Sequence, residues 1–375
     1  MIDMSITPAS LDVFHLEVKL KTPRRNAFGT MLARPALVLR LKDHLDFEGW
    51  GEVFCNWPAF GALHRKRILE QVLTDQIVGR RFDNPQSLSR QLIENTRRIV
   101  IQSNEPGPFE QCIAGIDIAA WDLAARREDI PLHQLIKPNI HQPVPVYASA
   151  LTPENYTDLV PGLLEQRWTG FKAKVGFGLA KDMEAVGQLR KMIGEQALML
   201  DANQAWDVTE AKNFIEALSI FQPSWIEEPI IATSPERSWR LLQNTPVPIA
   251  GGENLRGRCS FAQFAKANLV KYLQPDAIKW GGISGLIEVA DIARHYGLKF
   301  APHYLGSGFG LMATAHAAKA LGAEWLEVDV SENPLRTEFV DYGDFIKDGH
   351  VVLSDAPGIG IPICEEKLAT FVASS

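Results

Sequence analysis

Seven short apolar segments between Lys172 and Glu327 each end in an acid or a base. They read FKAKVG with Lys172 and Lys174, LMLDANQAW with Asp201, WIEEP with Glu227, IAGGEN with Glu253, LQPDAIKWGGI with Asp276, KFAPHYLG with His303 and WLEVDV with Glu327. From Lys174 onward the steps are 27, 26, 26, 23, 27 and 24 residues. One strand, one helix and two loops need about that length. Strands buried on both faces read as nearly continuous apolar runs, so the repeat predicts a closed parallel barrel. A polar residue at the C-terminal end of each barrel strand is where such a fold carries out chemistry.

VPVYASAL (144–151) supplies the first barrel strand. Helical patterns at 181–193, 208–220, 235–243, 259–268, 284–296 and 308–321 fill the gaps. Ahead of the barrel, LDVFHLEVKL (11–20) alternates apolar and polar residues as a half-buried antiparallel strand does. A loop from Thr22 to Arg34 then leads to strands at 36–42 and 47–53. Helical stripes follow at 62–78, 86–100 and 109–126, the second behind an Asn84-Pro85 cap. Strands followed by helices without alternation predict a separate α+β domain over 1–130, with the barrel at 131–344. No eighth amphipathic helix follows Glu327, so the tail (345–375) is expected to return to the first domain. Asp117 and Asp122 lie on the last helix of that domain, where acids usually face solvent or cap a neighbour.

The chain has 375 residues, 46% apolar and 22% charged, with a formal charge of −7, a balance ordinary for a soluble globular protein. It has no basic cluster to follow a phosphate backbone and no apolar run of about 18 residues, which argues against nucleic-acid and membrane partners. MIDMSITPAS lacks the basic and apolar regions of a signal peptide, and a cytoplasmic location is expected. Cys55, Cys112, Cys259 and Cys364 show no CxxC pairing and are expected to be reduced and mostly buried. The glycines of WGGISG do not have dinucleotide-loop spacing.

Asp201, Glu227 and Glu253 end three successive strands and would meet at one rim of the barrel. Three converging carboxylates repel one another without a cation, whereas all-oxygen ligation suits Mg²⁺. Taken singly, each acid is also compatible with a solvated strand end. Glu228 is expected on the opposite side of its strand. Lys172 and Lys174 share a strand face, where repulsion and a nearby cation would lower their pKa values toward a usable base. Asp276 beside His303 would fix the imidazole tautomer and make it a general acid/base. Glu327 is a candidate hydrogen-bond partner for a substrate oxygen, and Asp329 shares its face. Asn203, just past Asp201, is a further candidate substrate contact. Together these groups suggest removal of the proton α to a Mg²⁺-bound carboxylate, giving an enediolate.

At these residues the chain resembles the enolase superfamily, in particular its mandelate racemase subgroup. The resemblance rests on KxK at Lys172 and Lys174, Asp201 in DANQAW, Glu227 in WIEEP, Glu253 in GGEN, the Asp276/His303 dyad and Glu327 in WLE. IAGIDIAAWDLAAR resembles the last helix of that family's capping domain. The resemblance implies a modified (β/α)7β barrel under an α+β capping domain, a Mg²⁺ cofactor and a homo-oligomer. It also implies Lys174 and His303 as bases, with Asp276 orienting His303. Muconate-lactonizing relatives place a catalytic lysine where this chain has Asp276, and Lys279 is not read as its equivalent. LIKPN departs from the glycine pair usual at that turn. The subgroup implies dehydration of an acid sugar (aldonate or aldarate), with racemisation or epimerisation of an α-substituted carboxylate as the alternative. A catalytically inactive sugar-acid-binding protein is the reading of a different class. Specificity is expected in the loops at 22–34 and 52–60, where Arg24, Arg25, Asn26, Phe54, Asn56 and Trp57 lie.

Overall fold

Alternation at the front of the chain forms an antiparallel sheet of β1 (Pro8–Asn26), β2 (Gly29–Asp43) and β3 (Glu48–Val53). The computed structural model describes residues 3–26, 29–138 and 142–373, without the side chains of 22–29. The stretch expected as a loop from Thr22 to Arg34 is instead the arm of the β1–β2 hairpin, with Arg24 opposite Met31 and Asn26 opposite Gly29. Irregular pairing between Lys19 and Arg24 absorbs Pro23. Backbone pairing continues there without any side-chain alternation to announce it. The turn after LIKP falls at 139–141, outside the described residues.

Helices α1 (Gly61–Ile68) and α2 (Thr74–Ile77) are joined by a π-helical turn, and α3 (Pro85–Ser103) starts at the capping box of Asn84 and Ser87. Helix α4 (Pro106–Arg127) is buried around most of its circumference, and α5 (Leu132–Ile136) follows it.

Eight parallel strands form the second sheet. They alternate with helices as β4 (Val146–Leu151), α6 (Tyr156–Glu165), β5 (Gly170–Lys174), α7 (Leu179–Ile193), β6 (Ala197–Asp201), α8 (Val208–Leu218), β7 (Trp225–Glu227), α9 (Glu236–Arg240), β8 (Ile249–Gly251), α10 (Arg258–Lys266), β9 (Tyr272–Leu273), α11 (Gly282–Tyr296), β10 (Lys299–Phe300), α12 (Gly308–Leu321) and β11 (Leu326–Asp329). Neighbours run β10-β9-β8-β7-β6-β5-β4-β11, and the Glu324 N–H donates to Phe300 O at 2.8 Å between the two outer strands. The sheet therefore curls into a barrel.

Tyr147, Met199, Trp225, Ala250, Tyr272 and Ala301 form an apolar cluster of their own, with Trp325 packed against it. Met199, Trp225, Ala301 and Trp325 each stand two residues before Asp201, Glu227, His303 and Glu327, hence on the same face one step lower. A β-carbon at Gly170 would lie 2.7 Å from Tyr147 Cβ, so this layer has no room for another side chain. An apolar floor thus lies beneath the polar rim.

The tail runs through α13 (Pro334–Thr337), α14 (Tyr342–Phe345), the hairpin β12 (Ile346–Lys347) and β13 (His350–Val351), and α15 (Glu365–Ala369). Gly349 O accepts from Val146 N at the base of the barrel, Gly358 pairs with Pro131, and Phe371 O accepts from Glu17 N on β1. Among the described residues no helix is long and apolar enough to cross a membrane. All four cysteines are free, with Cys55 and Cys112 buried but Cys259 and Cys364 exposed, so half rather than most are inside.

Asp117 and Asp122 are fully buried caps. Asp122 accepts from Trp50 N, Ile359 N and Arg126, while Asp117 accepts from Ser89 Oγ, Ser284 Oγ and Ser284 N at the start of α11. Burial pushes Asp117 up to about 7, against the opposing hydrogen bonds of Ser284 and Ser89. The folded protein then keeps this proton to about pH 7, whereas the unfolded chain releases it near the ordinary value of 3.8. Its contribution to stability is whole below about pH 4 and is lost as pH rises through 7. Asp117→Asn is expected to remove that decline from urea-unfolding free energies measured between pH 4 and 8. An unchanged slope would show that Asp117 is ionised throughout.

Candidate active site

Each strand of the barrel delivers its last inward side chain to the same rim. Lys172, inside β5 and 1% exposed, donates to Glu227 Oε1 and Oε2 at 2.8 and 2.9 Å. Its Nζ also lies 2.9 Å from Glu327 Oε1, 3.7 Å from Asp201 Oδ2 and 5.2 Å from the centre of the Tyr147 ring. Lys174, one step nearer the mouth, pairs with Asp201. Glu327 accepts from the Tyr147 hydroxyl at 3.0 Å. On the far side, His303 Nδ1 is 2.7 Å from Asp276 Oδ2 and its Nε2 is 2.5 Å from Glu253 Oε2. Asp276 is anchored in turn by the N–H groups of Ile278 and Lys279.

The protein's own groups act against the lowering expected of the two lysines beside a cation. Burial pushes both down, but Glu227 and Glu327 hold Lys172, and Asp201 holds Lys174, above the ordinary lysine value. Opposite charge at contact distance outweighs repulsion between the two ammonium groups. His303 is likewise held well above its usual value: burial opposes protonation, while Glu253, Glu327 and Asp276 favour the imidazolium.

Glu228 also departs from expectation. Strand alternation placed it on the outer side, yet β7 stops at Glu227 and Glu228 takes a left-handed backbone (φ 38°). Its buried carboxylate accepts from Asn254 Nδ2 at 2.7 Å, and the same amide group donates to Glu253 at 2.8 Å. Burial and then Glu253 push Glu228 up to about 8. Lys279 belongs to this side as well, 3.5 Å from Glu253 Oε1 with its Nζ 4.9 Å from the centre of the Phe54 ring. Gln274 donates to Glu227 at 2.8 Å. Its position two residues before Asp276 was a signal in the sequence, whereas nothing local predicted the turned backbone of Glu228.

Asn203 lies at the rim with its N–H donating to Asp201 Oδ1 and its side chain half-buried. Asp329, which shares a strand face with Glu327, is 3.1 Å from Arg336 and 3.5 Å from Arg34. From the 52–60 loop, Phe54 meets Lys279, Asn56 donates to Leu305 O, and Trp57 is half-buried. The side chains of Arg24, Arg25 and Asn26 lie outside the described residues.

The donor set can be tested for a metal. Asp201, Glu227, Glu228, Glu253, Asp276 and Glu327 are all buried, and among the described residues only Lys172, Lys174, Lys279 and His303 stand against them. Burial, together with Asp201 and Glu327, pushes Glu227 up to about 7 despite Lys172. Gln274 Oε1 is buried without a hydrogen-bond partner. Surplus carboxylate oxygen of this kind fits a hard divalent cation. Among the described residues the compact group of potential ligand atoms is Glu227, His303 and Glu327, all within 4.8 Å of one another. Asp201 and Glu253 are drawn instead toward Lys174 and His303.

This arrangement can be set beside known proteins. Residues 9–137 match the family described as mandelate racemase / muconate lactonizing enzyme, N-terminal domain, and residues 156–367 match the enolase C-terminal domain-like family. A solved mandelate racemase/muconate lactonizing enzyme from Bordetella bronchiseptica RB50 is 37% identical, covers 98% of this chain and 99% of its own, and superposes with a TM-score of 0.90. The D-galactarolactone cycloisomerase of Agrobacterium fabrum is 27% identical over 95% of this chain and 96% of its own. The L-talarate/galactarate dehydratase of Salmonella typhimurium is 33% identical over 69% of this chain and 65% of its own. The chain belongs to the mandelate racemase/muconate lactonizing enzyme family of the enolase superfamily. Among these relatives, those named for a reaction on a sugar acid include a dehydratase and a cycloisomerase.

Proposed function

We propose that the protein is a Mg²⁺-dependent hydro-lyase that dehydrates an acid sugar, an aldonate or aldarate. The observation that supports the reading is that two non-neighbouring strands, β5 and β10, bring Lys174 and the Asp276-paired His303 to one buried carboxylate cluster. Asp201, Glu227 and Glu253 would hold the ion. Magnesium so held would supply positive charge beside the substrate's carboxylate oxygens, where charge develops as the α-proton leaves. Lys172, already among Glu227, Glu327 and Asp201, would donate to one of those oxygens. Glu327, steadied by the Tyr147 hydroxyl, would accept a substrate hydroxyl.

One base removes the proton α to the carboxylate and the other protonates the departing β-hydroxyl. His303 delivers its proton through Nε2 because Asp276 occupies Nδ1. Lys174 abstracts a proton only as the neutral amine, which requires Asp201 to be engaged elsewhere. The same two bases, acting on a substrate without a β-leaving group, would racemise or epimerise it.

The test is incubation with Mg²⁺ in D2O against a library of aldonates, aldarates and their lactones. Formation of a keto-deoxy acid from at least one acid sugar, abolished by chelation, is the expected result. Deuterium at the α-carbon without loss of water would replace the dehydratase by a racemase. Silence across the library would overturn both in favour of a binding protein.

A further inference from the structure

We infer that Glu52, a carboxylate of the capping domain, is a positioning residue for His303. Glu52 lies on β3, is 2% exposed, and points out of its own domain into the loop between His303 and α12. Its Oε1 accepts from Ser307 N at 2.8 Å. Its Oε2 takes Ser307 Oγ at 2.6 Å, Gly310 N at 2.9 Å and the hydroxyl of Tyr304, the residue after His303, at 2.9 Å. The loop is shaped around this group: a β-carbon at Gly306 would stand 2.5 Å from Oε1, and one at Gly310 3.0 Å from Oε2.

The residues that follow Glu52 grip the other half of the dyad. Phe54 N–H donates to Ile278 O at 3.2 Å, and Ile278 N–H in turn holds Asp276 Oδ1 at 2.9 Å. Asn56 donates to Leu305 O at 3.3 Å. One strand end of the capping domain thus ties together the two barrel loops that carry Asp276 and His303. Those loops are otherwise joined near the site by the short Asp276–His303 bridge and its His303 N to Pro275 O bond. A carboxylate with several charge-assisted bonds fixes the loop more tightly than an amide of the same shape. An error of about 1 Å in the position of a base costs on the order of 10²-fold in rate.

The inference rests on the proposed role of His303, so its test carries a readout that needs no turnover. In Glu52→Gln, exchange of the α-proton in D2O is expected to fall about 10–100-fold for acid sugars whose proton faces His303, with KM little changed. Exchange on the Lys174 side is expected to persist. In ¹⁵N-histidine-labelled protein the His303 ring signals, assigned with His303→Asn, are expected to shift or broaden while the spectrum elsewhere is retained. Tyr304→Phe, which removes one donor only, is expected to give a smaller change of the same kind. Equal loss on both faces would reduce Glu52 to a structural tie, and unaltered exchange with unaltered ring signals would overturn the inference. If the wild-type enzyme turns over no acid sugar, the proposed function fails, and the ring signals alone decide Glu52.

Discussion

His303→Asn is expected to lower the rate of α-proton removal by about 10²–10⁴-fold for acid sugars whose C2 proton faces His303. Asparagine can keep a hydrogen bond to Asp276, which now receives His303 Nδ1 at 2.7 Å, but it cannot transfer a proton from the other side. Exchange catalysed from the Lys174 side should continue, because Lys174 comes from β5 and makes no contact with the Asp276–His303 pair. Calorimetric titration with Mg²⁺ should show binding retained, as the proposed ligands Asp201, Glu227 and Glu253 remain. Full activity of the variant toward every substrate would show that the dyad has no part in the chemistry.

Asp329→Ala is expected to act on stability, with a loss of about 3–5 kcal/mol. The carboxylate is shared by two guanidinium groups, Arg336 at 1% exposure and Arg34 at 6%, and it also accepts from Ser331 N at 2.7 Å. Burial opposes its ionisation, yet Arg336 and then Arg34 hold it far below the ordinary carboxylate range. Removing it leaves two buried cations without the anion they share, which costs far more than a surface pair. Arg34 lies on β2 and Arg336 beyond β11, so the pair also joins capping domain to barrel. Urea unfolding measures the loss, and turnover at low temperature separates it from chemistry. A variant of normal stability with little activity would place Asp329 beside Glu327 at the substrate.

The strand ends of the barrel were legible because each pairs a buried apolar run with one or two ionisable residues. The repeat length then left little freedom in what lay between them. Lys172 and Glu327, far apart in the chain, end up 2.9 Å apart for that reason alone. Where side chains carry no period, the sequence was silent. The hairpin arm ending at Asn26 is held by backbone pairing, and its polar residues and Pro23 read as a loop. Glu228 was misplaced because alternation holds only while the strand continues, and a left-handed residue ends it. Charge state was the least readable property. Two lysines on one face imply repulsion, and only the fold shows that Glu227, Glu327 and Asp201 stand close enough to oppose it. Glu52 sits in a short strand buried on both faces, and its partners lie some 250 positions later, beyond the reach of any local pattern.

The layer of Tyr147, Met199, Trp225 and Tyr272 gives the catalytic chamber a sealed base. Whatever reaches the polar rim then arrives and leaves by the same end of the barrel, the end at which Phe54 stands against Lys279.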